Sequence, residues 1–256
     1  MQAEDLILEP LDDGVLLVTI HRPEVRNALR ANTLREVAEV LRHPGGARVV
    51  VLTGGDRVFC AGADLRELEE LRASGRIAEN PRTRYWADIR AREVPLVGAV
   101  NGFALGGGCE LAMHADILVA GESARFGQPE VGLGLMPGAG GTQMLTRAVG
   151  KSVAMMVVLC GEILDAPRAR ELGLVAEVVP DAQTVPRALE LGRGIAARPS
   201  LAVRAARAAI EQAFESSLAE GLRRERAAYD GLFATTDLAE GIAAFLEKRR
   251  PEFRGE

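Results

Sequence analysis

The chain has 256 residues, 48% of them hydrophobic, and a formal net charge of −5, so it can bury a substantial core and lacks the basic excess of a general nucleic-acid binder. Three cysteines, Cys60, Cys109 and Cys160, are widely spaced, and His21, His43 and His114 share no ligand spacing with them, so neither a disulfide framework nor a metal site is expected. No uncharged stretch approaches the ~20 residues that span a bilayer, and Met1-Gln2-Ala3-Glu4-Asp5 shows no basic and apolar leader pattern, so a cytoplasmic chain without membrane or nucleic-acid partners is expected.

Leu6 to Glu9 and Val15 to Ile20 read as strands joined by the turn signal Asp12-Asp13-Gly14. His21-Arg22-Pro23 ends the second strand, and Asn27-Ala28-Leu29 leads towards a helix. That helix spans Asn32 to Leu41, with Leu34, Val37, Ala38 and Leu41 on one face, and Pro44-Gly45-Gly46 stops it. Val49 to Leu52 is wholly apolar, as expected of a strand covered on both faces. Phe59-Cys60-Ala61-Gly62-Ala63-Asp64-Leu65 precedes a charged helix, Arg66 to Arg72, for which Asp64 is a suitable cap. Ser74 to Pro81 reads as a connector, and Thr83 to Ala91 as a helix whose Tyr85 and Trp86 have core packing as their default role.

Two glycine-rich turns follow, each carrying a carboxylate. An apolar run ends at Asn101-Gly102, and Gly106-Gly107-Gly108-Cys109-Glu110 opens a helix over Cys109 to Met113. Glycine at a helix entrance lets a ligand approach free backbone N–H groups, which suits an oxygen on which charge develops. Glu110 reads either as a carboxylate satisfying the helix dipole or as an acid–base group. Glu130 follows Phe126-Gly127-Gln128-Pro129, and two carboxylates on consecutive loops form an acid–base pair if the fold brings them together.

Beyond Gly150 the pattern becomes helical: Ser152 to Leu159, Ala166 to Leu172 and Thr184 to Ala197, with a short strand at Ala176 to Val179. A long helix from Ser200 to Ala219, capped by Ser200, is expected next, then Leu222 to Phe233 and Leu238 to Lys248. Alternating strands and helices up to Val179 describe an α/β architecture.

Ala104-Leu105-Gly106-Gly107-Gly108-Cys109-Glu110-Leu111-Ala112, Phe126-Gly127-Gln128-Pro129-Glu130 and Pro137-Gly138-Ala139-Gly140-Gly141-Thr142 together resemble the signature of the enoyl-CoA hydratase (crotonase) family. The resemblance runs along nearly the whole chain. It implies a ββα spiral core over residues 1–195 and a C-terminal helical trimerisation region over 196–256, in a homotrimer or dimer of trimers. The implied reaction is reversible syn hydration of a trans-2-enoyl-CoA to a (3S)-3-hydroxyacyl-CoA, with no cofactor beyond the coenzyme A of the substrate. By the same resemblance Glu110 takes the base-like role and Glu130 the acid-like one, and the N–H groups of Ala63 and Gly107 hold the thioester oxygen. Ala28, Ala61, Gly62, Asp64, Leu65 and Arg66 are implied at the coenzyme A site, with Arg66 near its phosphates. Phe245 and Lys248 match residues that reach coenzyme A, in some members across a subunit boundary, although Lys248 also reads as a plain surface charge. Tyr85 and Trp86 border the implied acyl pocket.

The tail, with Gly221-Leu222, Ala234-Thr235-Thr236-Asp237 and Ala244-Phe245-Leu246-Glu247-Lys248, is similar to that of bacterial hydratases of 2,3-dehydroadipyl-CoA in phenylacetate catabolism. A dicarboxylic acyl chain asks for a cation, and Arg82, Arg84, Arg90 and Arg92 stand nearby in sequence. Other readings are a crotonase-type isomerase or thioester hydrolase, and an RNA- or nucleotide-binding protein. Against the last, Pro137 to Thr142 lacks the Lys-Ser/Thr of a phosphate loop, and the early helix carries Glu36 and Glu39 beside Arg35.

Overall fold

In the computed structural model, which describes residues 3–256, the strands form one six-stranded and one three-stranded sheet. Met1 and Gln2, part of the opening read above for a leader, lie outside the described residues. The first elements are β1 (Leu6–Pro10), β2 (Val15–Ile20), α1 (Ala31–Arg42), β3 (Val49–Thr53), α2 (Leu65–Ser74) and α3 (Arg82–Arg90). Then come β4 (Leu96–Val100), β5 (Phe103–Leu105), α4 (Gly107–Met113), β6 (Ile117–Gly121), β7 (Arg125–Gly127) and α5 (Gly141–Val149). The remainder is α6 (Lys151–Cys160), β8 (Leu164–Asp165), α7 (Ala166–Glu171), β9 (Glu177–Val179) and α8 (Thr184–Ala196), followed by α9 (Ser200–Gln212), α10 (Leu218–Leu232) and α11 (Thr236–Glu247).

The large sheet runs β1-β2-β3-β4-β6-β9, parallel except for the expected hairpin at its start. Every residue of β3 is buried, because both faces are covered. Val15, Val49, Val51, Val97 and Val119 pack with Ala188 and Ala196 of α8 on one side. Val50, Leu52, Leu96 and Leu118 join Leu34, Val37 and Leu41 of α1 on the other. Where α8 crosses the sheet it carries Gly192, on which a Cβ would stand 3.2 Å from Val51 Cγ2.

The small sheet, β5-β7-β8, is built from strands too short to stand alone. Isolated bridges, Cys60 with Ala104 and Leu29 with Ala63, extend its pattern into the loop after β3. The core therefore repeats one unit: a strand of the large sheet, an extended segment at the small sheet, then a helix. The β3 unit ends in α2, the β4–β5 unit in α4 and the β6–β7 unit in α5.

The expected single helix from Ser200 to Ala219 is two helices. Ser216 Oγ donates to the Gln212 carbonyl at 3.0 Å, and Ser217 Oγ accepts from the Glu220 N–H at 3.4 Å as the cap of α10. Both serines bond locally and break the run, as short hydroxyl side chains do. Nor does Ser200 cap α9: it is the first helical residue after Pro199, and no side chain caps that end. Thr235 caps α11 through the Leu238 N–H at 3.2 Å.

Candidate active site

The strand-to-helix corners of three successive units lie beside one another, and the two glycine-rich turns occupy the second and third. At the first corner, Cys60 accepts from the Leu105 N–H at 3.0 Å and donates to the Phe103 carbonyl at 2.9 Å. Gly62, at φ 117°, then turns the chain, and Asp64 caps α2 by accepting from the Arg66 N–H at 3.2 Å. Leu29 clamps this corner from the other side: its N–H donates to the Gly62 carbonyl at 2.7 Å and its carbonyl accepts from Asp64 at 2.8 Å. Between those bonds the Ala63 N–H is left over. Among the described residues neither it nor the Gly107 N–H donates to a backbone carbonyl. A Cβ built on Gly107 would stand 3.7 Å from the Ala63 nitrogen. Two unspent donors therefore lie close together.

Two of the three glycines before Glu110, Gly106 and Gly108, have a steric reason. A Cβ on Gly108 would lie 2.4 Å from the Cys60 carbonyl oxygen, so only glycine lets α4 pack on the first corner. Gly106, at φ 50°, would put a Cβ 2.9 Å from Glu130 Oε1. The second corner thus touches the carboxylate delivered by the third.

Glu110, 3% exposed, sits in the first turn of α4. Its Oε1 accepts from the Ala139 N–H at 2.7 Å and the Gly141 N–H at 2.8 Å. Burial raises its pKa above the usual carboxylate value, and those two N–H bonds pull the other way. Glu130 follows Pro129 at the start of a short 3-10 turn, Glu130–Leu133. Desolvation, and to a lesser degree the Glu110 charge, push its carboxyl up to about 7, against the bond from its own N–H. With its amide nitrogen turned to the carboxylate, buried Gln128 donates to Glu130 at 3.1 and 3.2 Å.

Ala28, Ala61, Gly62 and Asp64 come together around the first corner. Asn27 arranges this: at φ 59°, its Nδ2 donates to the Gly54 and Val58 carbonyls, both at 2.9 Å, while its Oδ1 accepts from the Arg22 N–H at 2.9 Å. Arg22 in turn donates to the Ala28 carbonyl and pairs with Asp64 at 3.1 Å. Leu65 and Arg66 are exposed at the start of α2, and Arg66 forms no ion pair among the described residues. Phe245 and Lys248 are not joined to this region by any hydrogen bond or ion pair among the described residues; they end α11, with Phe245 84% exposed. Of the four arginines near the implied acyl end, Arg82 is tied to Glu67 at 3.3 Å, Arg84 to Asp88 at 3.8 Å and Arg92 to Asp116 at 2.8 Å, which leaves Arg90 without a carboxylate partner among the described residues.

Sequence reasoning assigned no role to Gln128, Asn27, Ala139 or Gly141. Asn27 carried a readable signal, since asparagine tolerates the left-handed region. The N–H groups of 139 and 141 did not, because a backbone donor has no side chain to announce it. Cys60 and Cys109 are buried with thiols pushed up to about 12, so neither is a ready nucleophile. Among the described residues no cluster of three or more His, Cys, Asp or Glu could hold a metal.

Two free N–H groups, the buried Glu110 carboxyl and the half-buried Glu130 carboxyl beside them make up the kind of group set that acid–base chemistry with an oxyanion hole requires. A family model described as enoyl-CoA hydratase/isomerase matches residues 11–256, and the chain belongs to that family. It is 47% identical to the 2,3-dehydroadipyl-CoA hydratase of Escherichia coli over 244 residues, which cover 94% of this chain and 95% of that one. It is 40% identical to the mitochondrial enoyl-CoA hydratase of Pongo abelii, over 95% of this chain and 84% of the other. The crystal structure of an enoyl-CoA hydratase from Bacillus anthracis superposes with a TM-score of 0.90 at 35% identity, covering 99% of this chain and 100% of that one. The fold is thus the crotonase fold, a ββα core followed by a C-terminal helical region.

Proposed function

We propose that the chain catalyses reversible syn addition of water to a trans-2-enoyl-CoA, giving a (3S)-3-hydroxyacyl-CoA. The observation that carries this reading is the pair of unspent N–H groups, Ala63 and Gly107, at a corner whose backbone touches Glu130. A conjugated thioester accepts water at C3 when charge building on its oxygen is stabilised, and preorganised donors of this kind are worth ~10²–10³ in rate each. Glu110, aimed by two N–H bonds, acts as the base that activates the water. Glu130, with its raised pKa, supplies the proton to C2. No electrons are transferred, and these groups provide base, acid and oxyanion donors, so the chemistry calls for no further cofactor.

Ala28, Ala61, Gly62, Asp64 and Leu65 are assigned to the coenzyme A arm, Arg66 to its phosphates. Phe245 and Lys248 are assigned to coenzyme A bound by a neighbouring copy, which suits their exposure on α11. We assign residues 1–195 to the core and 196–256 to assembly as a homotrimer or dimer of trimers, a reading supported by the exposed Ile210, Phe214, Leu218, Phe233 and Phe245. A cytoplasmic location is inferred; no helix among the described residues is long and apolar enough to cross a membrane. Similarity to the Escherichia coli enzyme supports 2,3-dehydroadipyl-CoA as a substrate.

The test is to incubate the protein separately with crotonyl-CoA and 2,3-dehydroadipyl-CoA, follow loss of the enoyl absorbance and weigh the product. A gain of one water is expected, and the ratio of kcat/KM values ranks the acyl chains. A shifted double bond or a free acid would instead mark an isomerase or a thioester hydrolase.

A further inference from the structure

We propose that His114 is a positioning residue for Glu110: its imidazole holds the Ala139 carbonyl and thereby fixes the two N–H groups that aim the carboxylate. This rests on the reading of Glu110 as the base. His114 is the residue that ends α4, one turn beyond Glu110, and is buried. Its Nε2 stands 3.3 Å from the Ala139 carbonyl oxygen. A carbonyl only accepts, so Nε2 carries the proton and donates.

The peptide it grips matters because of its neighbours. The Ala139 carbonyl belongs to the 139–140 peptide. The Ala139 N–H belongs to the peptide before, the Gly141 N–H to the peptide after, and both donate to Glu110 Oε1, at 2.7 and 2.8 Å. With Gly140 at φ 113°, the three peptides curl into a concave nest whose outer N–H groups converge on one oxygen. Rotation of the middle peptide would swing both donors off the carboxylate. His114 is the side chain that resists that rotation, and the Trp86 ring stacks on the imidazole with centroids 5.6 Å apart. Burial, with Arg92 nearby, pushes the imidazole down to about 4, so the ring is neutral and remains a single fixed donor at working pH.

The experiment compares His114→Met, which fills the space without a donor, with His114→Gln, which restores one, using Glu110→Gln as the control. His114→Met is expected to lower kcat on crotonyl-CoA by ~10- to 100-fold, the range of a misplaced catalytic group, with KM within two-fold of wild type. His114→Gln is expected to recover most of kcat. Wild-type kcat in His114→Met, while Glu110→Gln is inactive, overturns the inference and leaves the function standing. Hydration by Glu110→Gln at the wild-type rate overturns the functional reading itself. Equal losses in the Met and Gln variants would also overturn the inference, since packing alone would then account for them. Should His114→Met not fold, His114→Asn takes its place, because its amide is too short to reach Ala139; wild-type kcat there counts against the inference in the same way.

Discussion

A methyl group placed on Gly106 would lie 2.9 Å from Oε1 of Glu130 and 3.3 Å from its Cδ. The backbone that opens α4 and the carboxylate delivered by the next unit are therefore in van der Waals contact. Gly106→Ala must both strain a φ of 50° and push Glu130 aside. Loss of ~10²-fold or more in kcat is expected for such a displacement, with the fold retained by circular dichroism. Wild-type turnover would show that Glu130 has room to move without consequence.

The pH profile follows from the two carboxyls. Glu110, raised above its ordinary value, has to be ionised to act as a base, and sets the acid limb. Glu130, pushed up to about 7, has to be protonated to act as an acid, so kcat/KM is expected to fall as pH rises through about 7. The two limbs belong to the interacting pair as macroscopic values. A flat profile from pH 6 to 9 would contradict these roles.

The same shift bears on stability. The folded Glu130 carboxyl binds its proton more tightly than the unfolded one, about 7 against 4.5. Its contribution is therefore present below 4.5 and lost as pH rises through about 7. Glu130→Gln, which stays neutral, is expected to melt higher than wild type at pH 8, by ~2–4 °C per kcal/mol in a chain of this size, and to show no gain at pH 4. Hydration should vanish in the same variant. Thermal melts at the two pH values check this.

Arg82 is 8% exposed, pairs with Glu67 at 3.3 Å and donates to the Leu29 carbonyl. Glu67 also accepts the Ala31 N–H at the start of α1. Arg82→Leu leaves the Leu29 carbonyl with the Asp64 N–H as its remaining donor, and losing a buried hydrogen bond from a charged group costs ~1.5–3 kcal/mol. A lower denaturation midpoint of that order is expected, and an unchanged midpoint would mean that water replaces the guanidinium.

Exposed apolar side chains on α9 to α11 lead to a test of assembly. Phe233→Asp combined with Ile210→Asp is expected to shift the sedimentation coefficient to that of a monomer and to raise KM for acyl-CoA thioesters. Sedimentation velocity at several concentrations decides it; an assembly of unchanged size would place the interface elsewhere.

Most of the large sheet was legible in the sequence because its strands are either alternating or continuously apolar, as at Val15 to Ile20 and Val49 to Leu52, while Ile117–Gly121, directly behind a helix pattern, was not read. The small sheet was legible only in part: Ala124 to Phe126 reads as a short strand-like segment, but Phe103–Leu105 has three residues, too few for a period, and only its pairing holds it extended. The α9–α10 break was missed because alanine and arginine favour a continuous helix and two serines outweigh them. Glu110 and Glu130 were nameable from their motifs. Their proximity was not, since it depends on three corners stacking, a long-range result of sheet register. His114 was indistinguishable from any core histidine until the carbonyl facing it could be seen.

Stacked corners also divide the labour of the site. The donors that would polarise the thioester come from the first and second units, while Glu130 comes from the third. Replacing the Glu130 carboxylate by an amide of the same shape therefore leaves both N–H donors in place. On the proposed mechanism, that variant keeps the α-hydrogens of a bound acyl thioester acidic even when water addition is lost. On that mechanism the scaffold separates stabilising an enolate from deciding what the enolate does next.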